Sequence, residues 1–179
     1  MENTTIASSA EFGRLAYEAG NYSAAADMFL KAEQAARTAG DALQAAEMAN
    51  NRSVALLQAG DAHAALEACD GTEIVFAAAG DIQREGLALG NKAAALRELG
   101  RRDESLKQYQ LSAERLKKAG DKENLAIVHK TISAIEIEKG DNLGAMSAML
   151  DALQVKDKLT LRERFMRWLF SLASRLMPR

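Results

Sequence analysis

The sequence predicts an all-α chain built of antiparallel helix pairs, and three observations carry that prediction. Seven of the twelve glycines (Gly20, Gly40, Gly60, Gly80, Gly100, Gly120 and Gly140) recur at a stride of twenty residues. Alanine is abundant and the single proline is Pro178, a composition that favours helix almost throughout, because alanine is the best helix former and proline the worst. Residue size also repeats, with a period of forty. Five residues after alternate glycines stand Ala25, Ala65, Ser105 and Ala145, and seven before them stand Gly13, Ser53, Ala93 and Ser133. Twelve after them come Ala32, Thr72, Ser112 and Ala152, whereas nine after them come the mostly bulkier Phe29, Cys69, Tyr109 and Met149. Small residues at fixed places let two helix backbones approach, and larger ones fill the gaps between hairpins. A strict period of this kind is the sequence signature of stacked repeats.

The punctuation explains each element in turn. Five of the seven glycines are followed by Asp. Glycine accepts the left-handed conformation that ends a helix, and aspartate caps the free N–H groups of the next one and suits its dipole. Asn21 is expected to fill the same role after Gly20; Arg101 cannot, and Asp103 is the substitute two residues on. Residues 1–7 read as a flexible N-terminus, and "MENTTIASSA" lacks the basic start and apolar run of a secretory leader. Four hairpins follow, at about 8–39, 41–79, 81–119 and 121–157, each helix about 17–18 residues, or roughly 26 Å, long. Turns this short make consecutive helices antiparallel neighbours. Gly86 and Gly90 in one helix, and Gly71 and Gly144 in others, then fall mid-helix, each costing about 1 kcal/mol against alanine. The Gly86/Gly90 cluster allows close approach of a neighbouring helix or of a bound peptide, and close packing is the favoured reason.

Residues 160–177 form a separate basic amphipathic helix. Thr160 and Glu163 make a capping box. Leu161, Phe165, Trp168, Leu169, Leu172 and Leu176 share one face, widened by Met166, Phe170, Ala173 and Met177. Arg162, Arg164, Arg167, Ser171, Ser174 and Arg175 take the other side. Residues 1–155 carry 16 Lys/Arg against 23 Asp/Glu, a balance of −7, whereas residues 156–179 carry seven against two, +5, which together give the net −2. An acidic body is poor material for neutralising phosphates, so nucleic acid is not an expected partner. No window is apolar enough to span a bilayer. Cys69 is the only cysteine, which rules out an internal disulfide and suits a reducing compartment. A cytoplasmic location is expected, membrane-associated if the tail engages lipid.

The stretch "FGRLAYEAGNYSAAADMFLKA", residues 12–32, resembles the tetratricopeptide (TPR) repeat: Phe12 and Gly13 stand for its first pair, Tyr17 lies one place from its aromatic, and Gly20, Tyr22, Ala25, Phe29 and Ala32 follow in order. Later units keep the glycine and the small positions but put Ala62, Arg102 and Asn142 in place of Tyr22, and Arg52 and Lys92 in place of Phe12, an inner position that should resist charge. The forty-residue period resembles the long variant of kinesin-light-chain-type arrays, polarity scaffolds and bacterial peptide sensors. The likeness covers residues 8–157 and implies a right-handed TPR-like superhelical solenoid of four hairpins plus the C-terminal helix.

The resemblance also implies a function. First helices of TPR hairpins line a concave groove that takes extended peptides. Carried onto this chain, the groove positions are Glu11, Arg14 and Glu18; Asn50, Asn51, Val54 and Gln58; Asn91, Ala94, Arg97 and Glu98; and Lys130, Thr131, Ala134 and Glu138. Asn51 and Asn91, forty residues apart, offer a donor and an acceptor to a peptide backbone, and Arg14, Arg97 and Lys130 are suited to an acidic residue or a terminal carboxylate. The expected function is a non-catalytic protein–protein interaction module. Cofactors, metals and catalytic residues are not expected: the chain has no HExxH, CxxC, GxSxG or phosphate loop, and His63 and His129 read as exposed. Three roles stay open for the tail, with contact residues Arg164, Phe165, Arg167, Trp168, Leu169 and Leu172. It caps the array, it lies on an anionic membrane as a peripheral adaptor, or it docks to a partner or a second copy through residues 159–177.

Overall fold

A computed structural model describes the backbone of residues 2–176 and the side chains of residues 6–173; Met177 of the expected apolar stripe and the side chains of Ser174, Arg175 and Leu176 lie outside the described residues. Every element within them is helical: α1 (Glu2–Glu18), α2 (Tyr22–Thr38), α3 (Ala42–Gln58), α4 (Ala62–Cys69), α5 (Thr72–Ala78), α6 (Ile82–Glu98), α7 (Arg102–Ala119), α8 (Lys122–Lys139), α9 (Asn142–Val155) and α10 (Leu161–Leu176). The first helix begins earlier than expected, at Glu2, and Ile6 is 1% exposed. The helices pack in adjacent pairs, α1 with α2, α3 with α4 and α5, α6 with α7, and α8 with α9. Each pair also packs on the next, α2 on α3, α4 and α5 on α6, and α7 on α8.

The twenty-residue stride has a local cause that appears at each turn. In the turn after α2, Gly40 has φ +75°, its N–H donates to the Arg37 carbonyl and the Asp41 N–H donates to the Ala36 carbonyl at 2.9 Å. This pair of bonds closes the helix end. The Asp41 carboxylate then accepts from the Gln44 N–H at 2.9 Å, so one aspartate ends one helix and caps the next. Asp61, Asp81, Asp121 and Asp141 cap in the same way. Asn21 occupies the cap position without a side-chain bond to the helix. Asp103 is not a substitute cap: α7 starts at Arg102, Asp103 pairs with Lys139 at 2.9 Å, and Arg101 in the cap position grips Glu104 instead. Asp41→Ala is therefore expected to cost about 1 kcal/mol in urea unfolding, and Asn21→Ala only a few tenths.

Between paired helices the small residues meet as the forty-residue period requires. The Ser105 hydroxyl donates to the Ala93 carbonyl and the Ser133 hydroxyl to the Ala145 carbonyl, both at 2.7 Å, so equivalent positions in the third and fourth pairs exchange donor and acceptor. A Cβ on Gly13 would stand 2.8 Å from the Phe29 ring, and one on Gly86 2.9 Å from Leu116 Cγ. Both glycines sit where two helices touch. Many of the buried apolar side chains form three clusters, one around Phe29 and Met48, a small one around Phe76, and one around Leu116 and Ile135. The molecule exposes 10323 Å², against about 8,500 Å² for a compact monomer of its mass.

Two expectations about single residues are overturned. Gly71 is not inside a helix: it has φ +79°, and the chain between 62 and 79 breaks into α4 and α5 there. Asp-Gly is a turn dipeptide, and the Thr72 hydroxyl, donating to the Cys69 carbonyl at 2.8 Å, fixes the kink. Gly144 lies in the first turn of α9, its N–H on the Asp141 cap. The position of Phe12 does not exclude charge: Phe12 is 60% exposed, whereas its equivalents Arg52 and Lys92 are only 23% and 20% exposed and are tolerated because each is paired with carboxylates. Arg52 on α3 lies 3.0 Å from Glu33 on α2, and Lys92 on α6 bonds Glu73 on α5 at 3.0 Å and Asp70 at 2.7 Å. The first two junctions between pairs thus carry an ion pair at equivalent places. In the third junction, the same places hold Ile132 and Ala113, both buried in one apolar cluster.

Candidate functional site

The first helices of the pairs, α1, α3, α6 and α8, present neighbouring faces. Asn91 on α6 donates to the Asn50 side-chain oxygen on α3 at 3.0 Å, and Arg97 on α6 reaches Glu138 on α8 at 2.5 Å. Near the N-terminal end of this surface, α1, α2 and α3 enclose a cleft of about 480 Å³. Its floor and walls are Ala7, Ala10, Tyr17, Phe29, Met48 and Val54, and its polar margin is Glu11, Arg14, Glu47 and Asn51. Phe29 reaches the cleft because Gly13 leaves room for its ring against α1. Tyr17 is steadied edge-on by Tyr22, ring centroids 5.2 Å apart.

Glu11, Arg14, Asn51 and Val54 were expected to face a groove, and the structure brings these four together at the cleft. The other candidates are placed differently. Asn50 is buried and bonded to Asn91, so this pair joins α3 to α6 and leaves Asn51 as the asparagine at the cleft. Arg97 holds Glu138, which also binds Arg102 at 3.2 Å, while Lys130 is exposed on α8. Arg14 is bound by Glu11 and Glu18 on its own helix, at 2.6 and 2.5 Å. The hydrogen bond from Arg14 holds the Glu11 carboxyl below its ordinary range, and the two carboxylates raise Arg14. Both arginines thus already have carboxylate partners, and the margin of the cleft carries more acid than base. Tyr17, Phe29 and Met48 were not singled out as lining residues. For Tyr17 and Phe29 the signal was present in the stretch 12–32, the unit richest in aromatics; Met48 lies outside it.

The remaining reactive groups are arranged for packing. Cys69 is fully buried, and desolvation pushes its thiol up to about 11, which leaves little thiolate. His129 is half-buried rather than exposed, and burial lowers its pKa; His63 is exposed. Among the described residues no group of three His, Cys, Asp or Glu side chains is placed to hold a metal ion.

At the other end of the molecule α10 packs on α9. The capping box forms as expected: the Glu163 N–H donates to the Thr160 hydroxyl at 3.2 Å, and the Thr160 N–H to the Glu163 carboxylate at 2.9 Å. Lys156 also bonds Glu163 at 2.6 Å, and with Thr160 it holds that carboxyl down at about 2. A depressed carboxyl stabilises the fold above its ordinary value near 4.5 and loses that contribution as pH falls toward about 2. Protection of the Thr160 amide against exchange, taken relative to the intrinsic rate at each pH, is accordingly expected to fall across that window, and a Glu163→Gln variant to show no such step. Among the tail candidates, Arg164, Phe165, Arg167, Trp168, Leu169 and Leu172 are all exposed. No helix among the described residues is long and apolar enough to cross a membrane.

No family model matches the chain, and no curated protein matches it.

Proposed function

We propose that the chain is a TPR-like solenoid, a right-handed stack of four helix pairs acting as a non-catalytic protein–protein interaction module that binds an extended peptide along α1, α3, α6 and α8. The observation that carries this reading is the cleft between α1, α2 and α3, apolar within and polar at its margin. An apolar anchor side chain of the partner enters among Phe29, Met48 and Val54, and the Asn51 amide, with both a donor and an acceptor, pairs with the adjacent peptide backbone. Because Arg14 and Arg97 already hold carboxylates, the apolar anchor supplies selection and a partner carboxylate does not. Helices pre-arranged by the Asn50–Asn91 and Arg97–Glu138 links keep the groove formed before the partner arrives, so the peptide alone bears most of the ordering cost.

Selection of displayed random peptides against the full chain tests this. Enriched peptides are expected to share a large apolar residue and to lose about tenfold or more in affinity to Val54→Asp and Asn51→Ala, a change of about 1.4 kcal/mol. Peptides that bind both variants as tightly as the parent chain place the site elsewhere.

A further inference from the structure

We propose that α10 is an interfacial anchor that lays its apolar strip into the headgroup region of an anionic lipid bilayer. The orientation of the helix carries the inference. At 3.6 residues per turn, Leu161, Phe165, Trp168, Leu169 and Leu172 form one continuous strip, and they are 82%, 60%, 59%, 43% and 42% exposed. The half-buried Met166, Phe170 and Ala173 fall on a different side, toward α9. The helix therefore rests on the array by its lesser apolar side and turns its richest one to solvent. A cap would do the reverse. A contiguous apolar patch of this size marks an interaction surface.

Charge selects the occupant. Arg162 lies along one margin of the strip and Arg164 along the other, with Arg167 further round the helix behind Arg164, all exposed. Glu163, the one acid of α10, is bound back to Lys156 and to the Thr160 N–H, so it does not offset them. Two copies meeting strip to strip would bring like-charged rows together, whereas an anionic surface meets both rows with opposite charge. Large apolar side chains with arginines at both shoulders are the arrangement of a helix lying in the plane of a membrane. The body carries −7 over residues 1–155 and is repelled by the same surface, which leaves the α10 end as the point of contact. None of this depends on the cleft of the first two pairs.

Trp168 is the only tryptophan, so its fluorescence reports on this helix alone. The full chain is mixed with vesicles of phosphatidylglycerol and phosphatidylcholine, and separately with pure phosphatidylcholine vesicles. With anionic vesicles the emission is expected to shift to the blue and the protein to float, both weakening as salt is added. Arg162→Gln, Arg164→Gln and Arg167→Gln combined are expected to reduce binding on the order of a hundredfold. Phe165→Ser with Leu169→Ser, which keeps the probe, is expected to abolish it. All five positions are exposed, and an unchanged thermal melt verifies the fold of each variant. An intact chain that neither shifts nor floats overturns the proposal, as does equal binding to neutral vesicles or by the arginine variant. A blue shift that grows with protein concentration in the absence of lipid, with a doubled mass in sedimentation, assigns the strip to a second copy and overturns it too.

Discussion

Phe76→Ala is expected to lower the unfolding free energy by about 3–5 kcal/mol. Phe76 is 1% exposed and heads the largest fully buried side chains. It stands in α5, the seven-residue piece left when Gly71 breaks the return limb of the second pair. A helix that short has too few internal bonds to hold itself. Besides the Lys92–Glu73 and Thr72–Cys69 bonds, it is held by the Phe76 ring, buried with Ala46 of α3 and Ala88 of α6. Those two alanines cannot grow to fill the space that truncation would leave. The loss should appear as a lower urea midpoint with an unchanged slope. A cost below about 1 kcal/mol would mean that α5 does not tie the second pair to the third.

Gly86→Val is expected to cost about 2–3 kcal/mol. A Cβ at Gly86 would stand 2.9 Å from Leu116 Cγ and 3.2 Å from Arg115 Cβ. Leu116 is fully buried, and the Ser112 hydroxyl one turn earlier donates to the Gly86 carbonyl at 2.7 Å, so α7 cannot step back. The gain in helix propensity from replacing glycine, under about 1 kcal/mol, does not offset the clash. Leu116→Ala alone should cost about 2–5 kcal/mol by leaving a cavity. Combined, the two changes should cost about 1–2 kcal/mol less than their sum, because the valine occupies room that the leucine vacates. Strict additivity would show that α6 and α7 do not touch at this point.

Much of this was legible because the signals were local. A glycine with positive φ followed by an aspartate that closes one helix and caps the next is written in two adjacent letters, and the stride follows from it. Small residues at forty-residue spacing located the contacts within pairs, from Gly13 under Phe29 to Ser133 on the Ala145 carbonyl. The break at Gly71 was written as well, in Asp70-Gly71-Thr72, but the even stride favoured an unbroken helix over a turn dipeptide. Placements that depend on long-range partners were harder to see. Asn51 and Asn91 are equivalent by position, yet Asn91 is drawn to Asn50 on the neighbouring helix while Asn51 reaches the cleft. Arg97 looked available for a ligand because nothing in periodicity reveals that Glu138, forty-one residues on, already occupies it. The Glu11 and Glu18 partners of Arg14 were legible, three residues before it and four after it on one helix. The tail's amphipathic pattern was plain, but which of its sides meets the array is set by the surface of α9, and no pattern within the tail encodes that.

Small-angle X-ray scattering from the full chain tests the stacked arrangement most directly. A compact domain of 179 residues has a radius of gyration of about 16 Å. Helix pairs that pack mainly on their neighbours in chain order, with α10 packed on the last of them, predict a clearly larger value and an elongated distance distribution. A symmetric distribution at about 16 Å would mean that the pairs collapse into a single bundle with no groove for a partner to enter.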